Sequence, residues 1–178
     1  MMKKILIIPL VFFLTGCGYT TRSQVMERYK TIYIRQFQNK IDMTSESSAS
    51  RRLKTYYPAI ETELTKAVIE RFIWDGSMRP TREEDADLVL KGEVTEFRRD
   101  ALSYIETTKD VEKYRISLVV NISLIDKKEN KLLWQESNLV GDTTYFTQGQ
   151  FAQTEESAIQ QTVRDLGRRI VERVVEDW

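Results

Sequence analysis

Apolar and polar positions change their period several times along the chain, and each period predicts an element. From Lys30 to Phe37, Ile32 and Ile34 alternate with Thr31, Tyr33 and Arg35, the signature of a half-buried strand. Residues 39–54 have neither period nor apolar mass, and the run from Ser45 to Ser50 predicts a polar, serine-rich loop. Arg51 and Arg52 within it suggest an anion site, although a solvated loop is the simpler account. A helix is then predicted from Tyr57-Pro58-Ala59, with proline tolerated in the first turn because its missing N–H has no partner there. Ile60, Leu64, Ala67, Val68 and Phe72 make its apolar stripe, Glu61 and Glu63 suit the positive end of its dipole, and Gly76 suits a left-handed cap.

Three strands follow. The first runs from Ala86 to about Phe97 with Leu88, Leu90 and Val94 on one face; Gly92, in step with them, marks a close approach or a bulge. In the second, from Tyr114, Ile116, Leu118, Val120, Ile122 and Leu124 face one way and Arg115, Ser117, Asn121 and Ser123 the other. Asp126 to Asn130 make a polar hairpin loop. The third strand runs from Lys131 to about Val140, with either Leu132 and Trp134 or Leu133 and Leu139 facing inward; residues 141–146 continue it or bend away. A final helix, from Glu155 to about Val175, has Thr154 as N-cap and the stripe Ile159, Val163, Leu166, Ile170, Val174. Gly167 inside it predicts close approach to a neighbour. The order β-α-β-β-β-α predicts an α+β two-layer sandwich. A four-stranded, mostly antiparallel sheet would carry both helices on one face and leave the other polar.

The N-terminus breaks these patterns. Lys3-Lys4, an apolar run from Ile5 to Leu14 and the small pair Thr15-Gly16 precede Cys17. Crossing a hydrocarbon core takes about 20 consecutive apolar residues, so this run reads instead as the middle of a secretory signal peptide. Leu14-Thr15-Gly16-Cys17 resembles the bacterial lipobox, which implies removal of residues 1–16 and attachment of diacylglyceryl and N-acyl chains (palmitate among them) at Cys17. A chance cysteine after an ordinary signal peptide is the alternative. Yet Cys17 is the only cysteine, and an unpaired one in an exported chain wants an explanation. One acyl chain binds a membrane only marginally, whereas two or more anchor it stably. Residues 17–30 are then a lipidated tether, and 31–178 a single α+β domain. Gly18 in place of Asp fits, by the sorting rule of enteric bacteria, the outer membrane.

Composition narrows the chemistry. Two of the 27 basic residues, Lys3 and Lys4, leave with the leader, so the mature chain carries two more acidic than basic groups and no excess that would draw nucleic acid. The chain has no histidine, hence neither the commonest general base nor the commonest metal ligand. A carboxylate-only glycosidase stays formally open, but the 27 acidic residues are what a solvated surface carries. The expectation is no enzyme, no metal and no cofactor beyond the covalent lipid.

Several stretches, in order, resemble the lipopolysaccharide-assembly lipoproteins, the LptE-like family. They are Cys17-Gly18-Tyr19, Phe37-Gln38-Asn39, Phe72-Ile73-Trp74-Asp75-Gly76, the run Asp85 to Val94, Leu133-Trp134 and the amphipathic C-terminal helix. Residues 39–54 depart from it by their length. The resemblance implies an outer-membrane lipoprotein that sits in the lumen of a large β-barrel, helps it fold, plugs it and contacts lipopolysaccharide on the way to the surface. Arg98 and Arg99 after one strand, and Lys127 and Lys128 at the hairpin, are candidate partners for its phosphates. Basic pairs that merely keep strand edges soluble are the plainer account. Two other functions fit the same anchor and fold: a pilotin-like assembly lipoprotein for another outer-membrane channel, and a periplasmic ligand-binding lipoprotein.

Overall fold

Strand β1 (Thr31–Ile34) buries Ile32 and Ile34 and half-exposes Thr31 and Tyr33, as the alternation predicts. In the computed structural model, the described residues are 28–41, 53–54 and 57–175; Cys17, the leader, most of the tether and residues 42–52 lie outside them. Packing reaches back into the stretch read as tether, because Tyr29 is buried in the core.

Three long strands make the body of the sheet: β5 (Leu88–Tyr104), β6 (Val111–Asp126) and β7 (Lys131–Phe146), joined as antiparallel hairpins. β1 runs parallel to the start of β5, pairing Ile32 with Leu88 and Ile34 with Leu90. Two short ladders continue along β5: β2 (Gln38–Asn39), parallel at Glu93 and Val94, and β3 (Leu53–Lys54), antiparallel at Arg98 and Arg99. β4 (Arg79–Pro80) lies outside β1, in parallel. The sheet therefore has seven strands, in the order β4-β1-β5-β6-β7 with β2 and β3 on β5, and not the four that periodicity predicts. The three additional strands have two residues each, too few to show a period.

Bulges settle the faces. An extra residue at Thr95 separates the pairs Val94–Val120 and Glu96–Val119, so Phe97 and Arg99 follow Val94 on the core side. In β7, Trp134 lies opposite Leu124 and Leu139 opposite Val120, although their numbers have opposite parity. The register slips between them, next to Asn138 at φ 59°. A second slip at Leu133 puts Leu132, opposite Ile125, on the other face. Neither inward set proposed for this strand is correct alone; Leu133, Trp134 and Leu139 all pack against the core.

Helix α1 (Ile60–Asp75) buries Ile60, Leu64, Val68 and Phe72, and α2 (Glu155–Val175) buries the whole predicted stripe plus Ala158, Thr162 and Val171. Both pack with Leu88, Leu90, Val94, Phe97 and the inward row of β6 into one apolar cluster. Burying a side chain such as Phe72 contributes about 1.5–3 kcal/mol. Pro58 precedes the helix instead of occupying its first turn, and Ala59 is the left-handed N-cap (φ 61°). Gly76 caps the other end at φ 71°, its N–H donating to the Phe72 carbonyl at 3.0 Å. At the start of α2, the Thr154 Oγ1 accepts from the Ser157 N–H at 3.2 Å.

Two glycines admit neighbours that no other residue would. A Cβ at Gly92 would lie 2.1 Å from the Phe37 ring, so the aromatic side chain and not a bulge explains it. A Cβ at Gly141 would lie 2.5 Å from that of Leu166, which lets α2 settle onto β7.

Candidate functional site

Connectivity gives the domain two ends. At one lie the start of β1, the C-terminus of α1, β4 and the β6–β7 hairpin; there the Arg79 N–H donates to the Lys30 carbonyl at 2.9 Å. At the other lie the β5–β6 hairpin, the end of β7 and the start of α2, tied by the Thr147 N–H to the Glu112 carbonyl at 3.0 Å.

The hairpin end is organised by two carboxylates. Asp126 is 1 % exposed; its Oδ1 accepts the N–H groups of Lys128 (2.9 Å) and Glu129 (3.1 Å), and its Oδ2 the Tyr29 hydroxyl (2.7 Å). Burial pushes its carboxyl up, but the Tyr29 hydroxyl, the two N–H groups and Arg28 outweigh it and hold it below the usual range. Tyr29, desolvated and donating to that carboxylate, is pushed up to about 12. Asp87 accepts from the Lys30 and Thr31 N–H groups (3.0 and 3.1 Å), the Thr31 hydroxyl (2.9 Å) and the Lys128 ammonium (2.9 Å). Those donors, Lys128 foremost, hold its carboxyl well below the ordinary range against the effect of burial.

Both hairpin lysines thus have work within the fold. Lys128 pairs with Asp87, and Lys127 donates to the carbonyls of Glu83 and Glu84 in the short 3-10 turn 83–85. Arg98 and Arg99 are adjacent on a strand and point to opposite faces. Arg99, on the helix side, donates to Glu155 of α2 at 2.5 Å and lies over the Tyr114 ring at 5.0 Å. Arg98, on the open face, has its Nε 3.7 Å from Glu96. It pairs with Ser117, and Asp126 lies nine positions further along β6, roughly 30 Å of extended strand. The four cations therefore do not form one site. The open sheet face is not uniformly wet either: Ser117 and Val119 are buried there, and a shallow polar hollow lies between Lys91, Glu93, Asn121, Ser123 and Gln135.

A larger feature was not legible in the sequence. On the outer surface of the helical layer, α1 and α2 frame a groove of about 480 Å³, lined by Ala67, Glu70, Arg71 and Trp74 on one side and Arg164, Asp165 and Arg168 on the other. Asp165 receives Arg168 and Arg169, each at 2.8 Å, and Arg168 also reaches Glu172 at 2.8 Å. Arg71 and Arg164 have no ion pair among the described residues, and the Arg71 Nε is buried without a hydrogen-bond partner. Trp74 stands 87 % exposed at the groove. Separate parts of the sequence contribute each wall, and no periodicity links them. Among the described residues, no cluster of acidic or cysteine side chains is placed to hold a metal, and no helix is long and apolar enough to cross a membrane.

Such a molecule is an α+β two-layer sandwich, with two helices on one face of its sheet. The chain belongs to the lipopolysaccharide-assembly family, LptE, whose model matches residues 29–174. No curated protein matches it. Among solved structures it is similar to the protein XCC0632 from Xanthomonas campestris, at 13% identity and TM-score 0.52, covering 83% of this chain and 82% of that one. It is also similar to the hypothetical protein CT253 from Chlamydia trachomatis, at 15% identity and TM-score 0.51, covering 82% and 95%. The rare lipoprotein B from Shewanella oneidensis superimposes less closely, at 13% identity and TM-score 0.44 over 82% and 90%. At these identities the likeness is one of fold.

Proposed function

We propose that this protein is an outer-membrane lipoprotein, anchored through acylated Cys17, that plugs and helps to assemble the β-barrel translocon delivering lipopolysaccharide to the cell surface. The observation that carries this reading is the family match over residues 29–174, which begins at Tyr29, where the described core begins. The lipobox-like segment ending at Cys17 supports the anchor. The mechanism is binding without catalysis. A rigid two-layer domain with a largely polar sheet face suits a water-lined barrel lumen, where shape and polar contacts set the register. Lipopolysaccharide phosphates would meet Arg98 and Arg99, and Lys127 and Lys128, as separate contacts at different heights along the sheet, each in competition with an internal carboxylate or carbonyl.

The deciding experiment is recovery of the tagged, lipidated protein from detergent-solubilised outer membranes, with the bound species identified by mass spectrometry. A large β-barrel in near-stoichiometric amount supports the plug. A multimeric channel of another kind, or no barrel, refutes it.

A further inference from the structure

Two large apolar side chains lie side by side on the last turn of α1: Ile73 is 64 % exposed and Trp74 87 %. No described residue covers them, and they are on the face of α1 that the core does not use. Their position along the molecule gives them meaning. α1 ends at Asp75, and four residues later Arg79 hydrogen-bonds to Lys30, so this turn belongs to the end of the domain where the described chain begins at Arg28. Leu132, 51 % exposed, lies at the same end on the other face of the sheet.

The chain between Cys17 and Arg28 sets the distance from the anchor. Its eleven peptide steps reach at most about 40 Å when fully extended. The opposite end of the sheet lies farther off by the length of β6, roughly 50 Å for its 16 residues. A lipid at Cys17 therefore leaves the Trp74 end within reach of the leaflet, whereas the other end reaches it only if the domain turns over. Tryptophan is the residue enriched at membrane–water interfaces, because its ring is apolar and its indole N–H polar. Arg71 is one turn before Trp74 and Arg164 lies across the groove, both without an ion pair among the described residues. Guanidinium groups beside an interfacial tryptophan suit lipid phosphates.

The geometry points to an end-on membrane-docking surface: Trp74 and Ile73 seat among the headgroups of the phospholipid leaflet that holds the anchor, and Arg71 and Arg164 pair with lipid phosphates. This rests on the anchor at Cys17 and is independent of the barrel. Docking in this way fixes the orientation of the domain, which a tether alone would leave free.

The test uses the lipidated protein purified from membranes, with its acyl mass verified, in vesicles of phosphatidylethanolamine and phosphatidylglycerol brominated near the top of the acyl chain. Bromine quenches tryptophan emission on contact. The wild type should be quenched, and Trp74→Phe should lose most of that quenching; Trp134 and Trp178 remain in it as the baseline. Exposure of Trp74 makes the variant safe for folding. Arg71→Gln combined with Arg164→Gln should reduce the quenching, and unchanged quenching in that variant overturns the phosphate pairing. Equal quenching in wild type and Trp74→Phe, on an acylated chain, overturns the docking and leaves the anchor standing. Absence of acyl mass overturns both.

Discussion

Glycine at position 92 and glycine at position 167 look alike in the sequence, each interrupting an apolar row, and their surroundings give them opposite fates. A Cβ at Gly92 would fall 2.1 Å from Phe37, a ring 2 % exposed with nowhere to go. Gly92→Ala should therefore destabilise the fold by about 1–3 kcal/mol through overpacking. A Cβ at Gly167 would meet Ala67 at 3.4–3.5 Å, ordinary van der Waals contact. Gly167→Ala should instead stabilise by up to about 1 kcal/mol, the helix propensity that glycine forgoes. Urea denaturation of both variants checks the pair of signs. Asp87 yields a prediction in pH. Its folded carboxyl is held below its unfolded value, chiefly by Lys128, so the contribution is complete above the unfolded pKa of about 3.9. As pH falls below that value the unfolded chain takes up the proton first, and stability drops until the folded carboxylate is protonated too. Asp87→Asn should be less stable than wild type at neutral pH by about 1.5–3 kcal/mol. The gap should close on acidification, and Tm followed from pH 7 down through the acid range reads it; a constant gap would refute the assignment.

At the scale of elements, the parts legible in the sequence were those with a sustained period: α2, the body of α1, β1, and the cores of β5 and β6. The two-residue strands β2, β3 and β4 had no period to read. β7 was ambiguous for a physical reason: one register slip puts Trp134 and Leu139 on the same face despite their opposite parity, a second turns Leu132 to the other face, and parity is all that a strand pattern offers. The neighbours of the candidate cations were not legible: Arg98 and Arg99 lie within β5 and not after it. Lys127 meets carbonyls, and Lys128 a carboxylate, more than forty positions back in the chain. The long hairpin β5–β6 also overran its predicted ends, because its last residues have no core beneath them. Ala101, Leu102 and Tyr104 are exposed, whereas Leu88, Leu90 and Val94 are fully buried, yet one ladder joins them all. Amides of 101–104 and 111–113 should accordingly exchange with solvent on the order of a hundredfold faster than those of 88–94 and 118–124. Hydrogen exchange read by NMR checks this, and uniform protection along β5 would show that the hairpin end is held by more than its ladder.

For the whole molecule, the six large apolar side chains exposed among the described residues divide by position. Ile73, Trp74 and Leu132 lie at the end where the described chain begins; Leu102, Tyr104 and Phe151 lie at the other. Between the two ends the surface is carried by ion pairs such as Arg173–Glu136 and Arg168–Glu172. If the first end meets lipid, the second is the one presented to a partner, and aromatic residues on such a surface are those whose truncation weakens binding most. Tyr104→Ser combined with Phe151→Ser removes two exposed rings, 47 % and 70 % accessible, which the core does not use. Surface changes of this kind alter stability by no more than about 0.5 kcal/mol, so Tm should hold. Recovery of the β-barrel with the tagged protein should fall about tenfold or more, the equivalent of about 1.4 kcal/mol. Trp74→Phe, carried through the same recovery, should leave the barrel yield unchanged because its ring faces lipid. Loss of barrel from the Trp74 variant, with the Tyr104 and Phe151 variant unaffected, would reverse the polarity of the molecule. It would mean that the end nearest the anchor, and not the far hairpin, enters the partner.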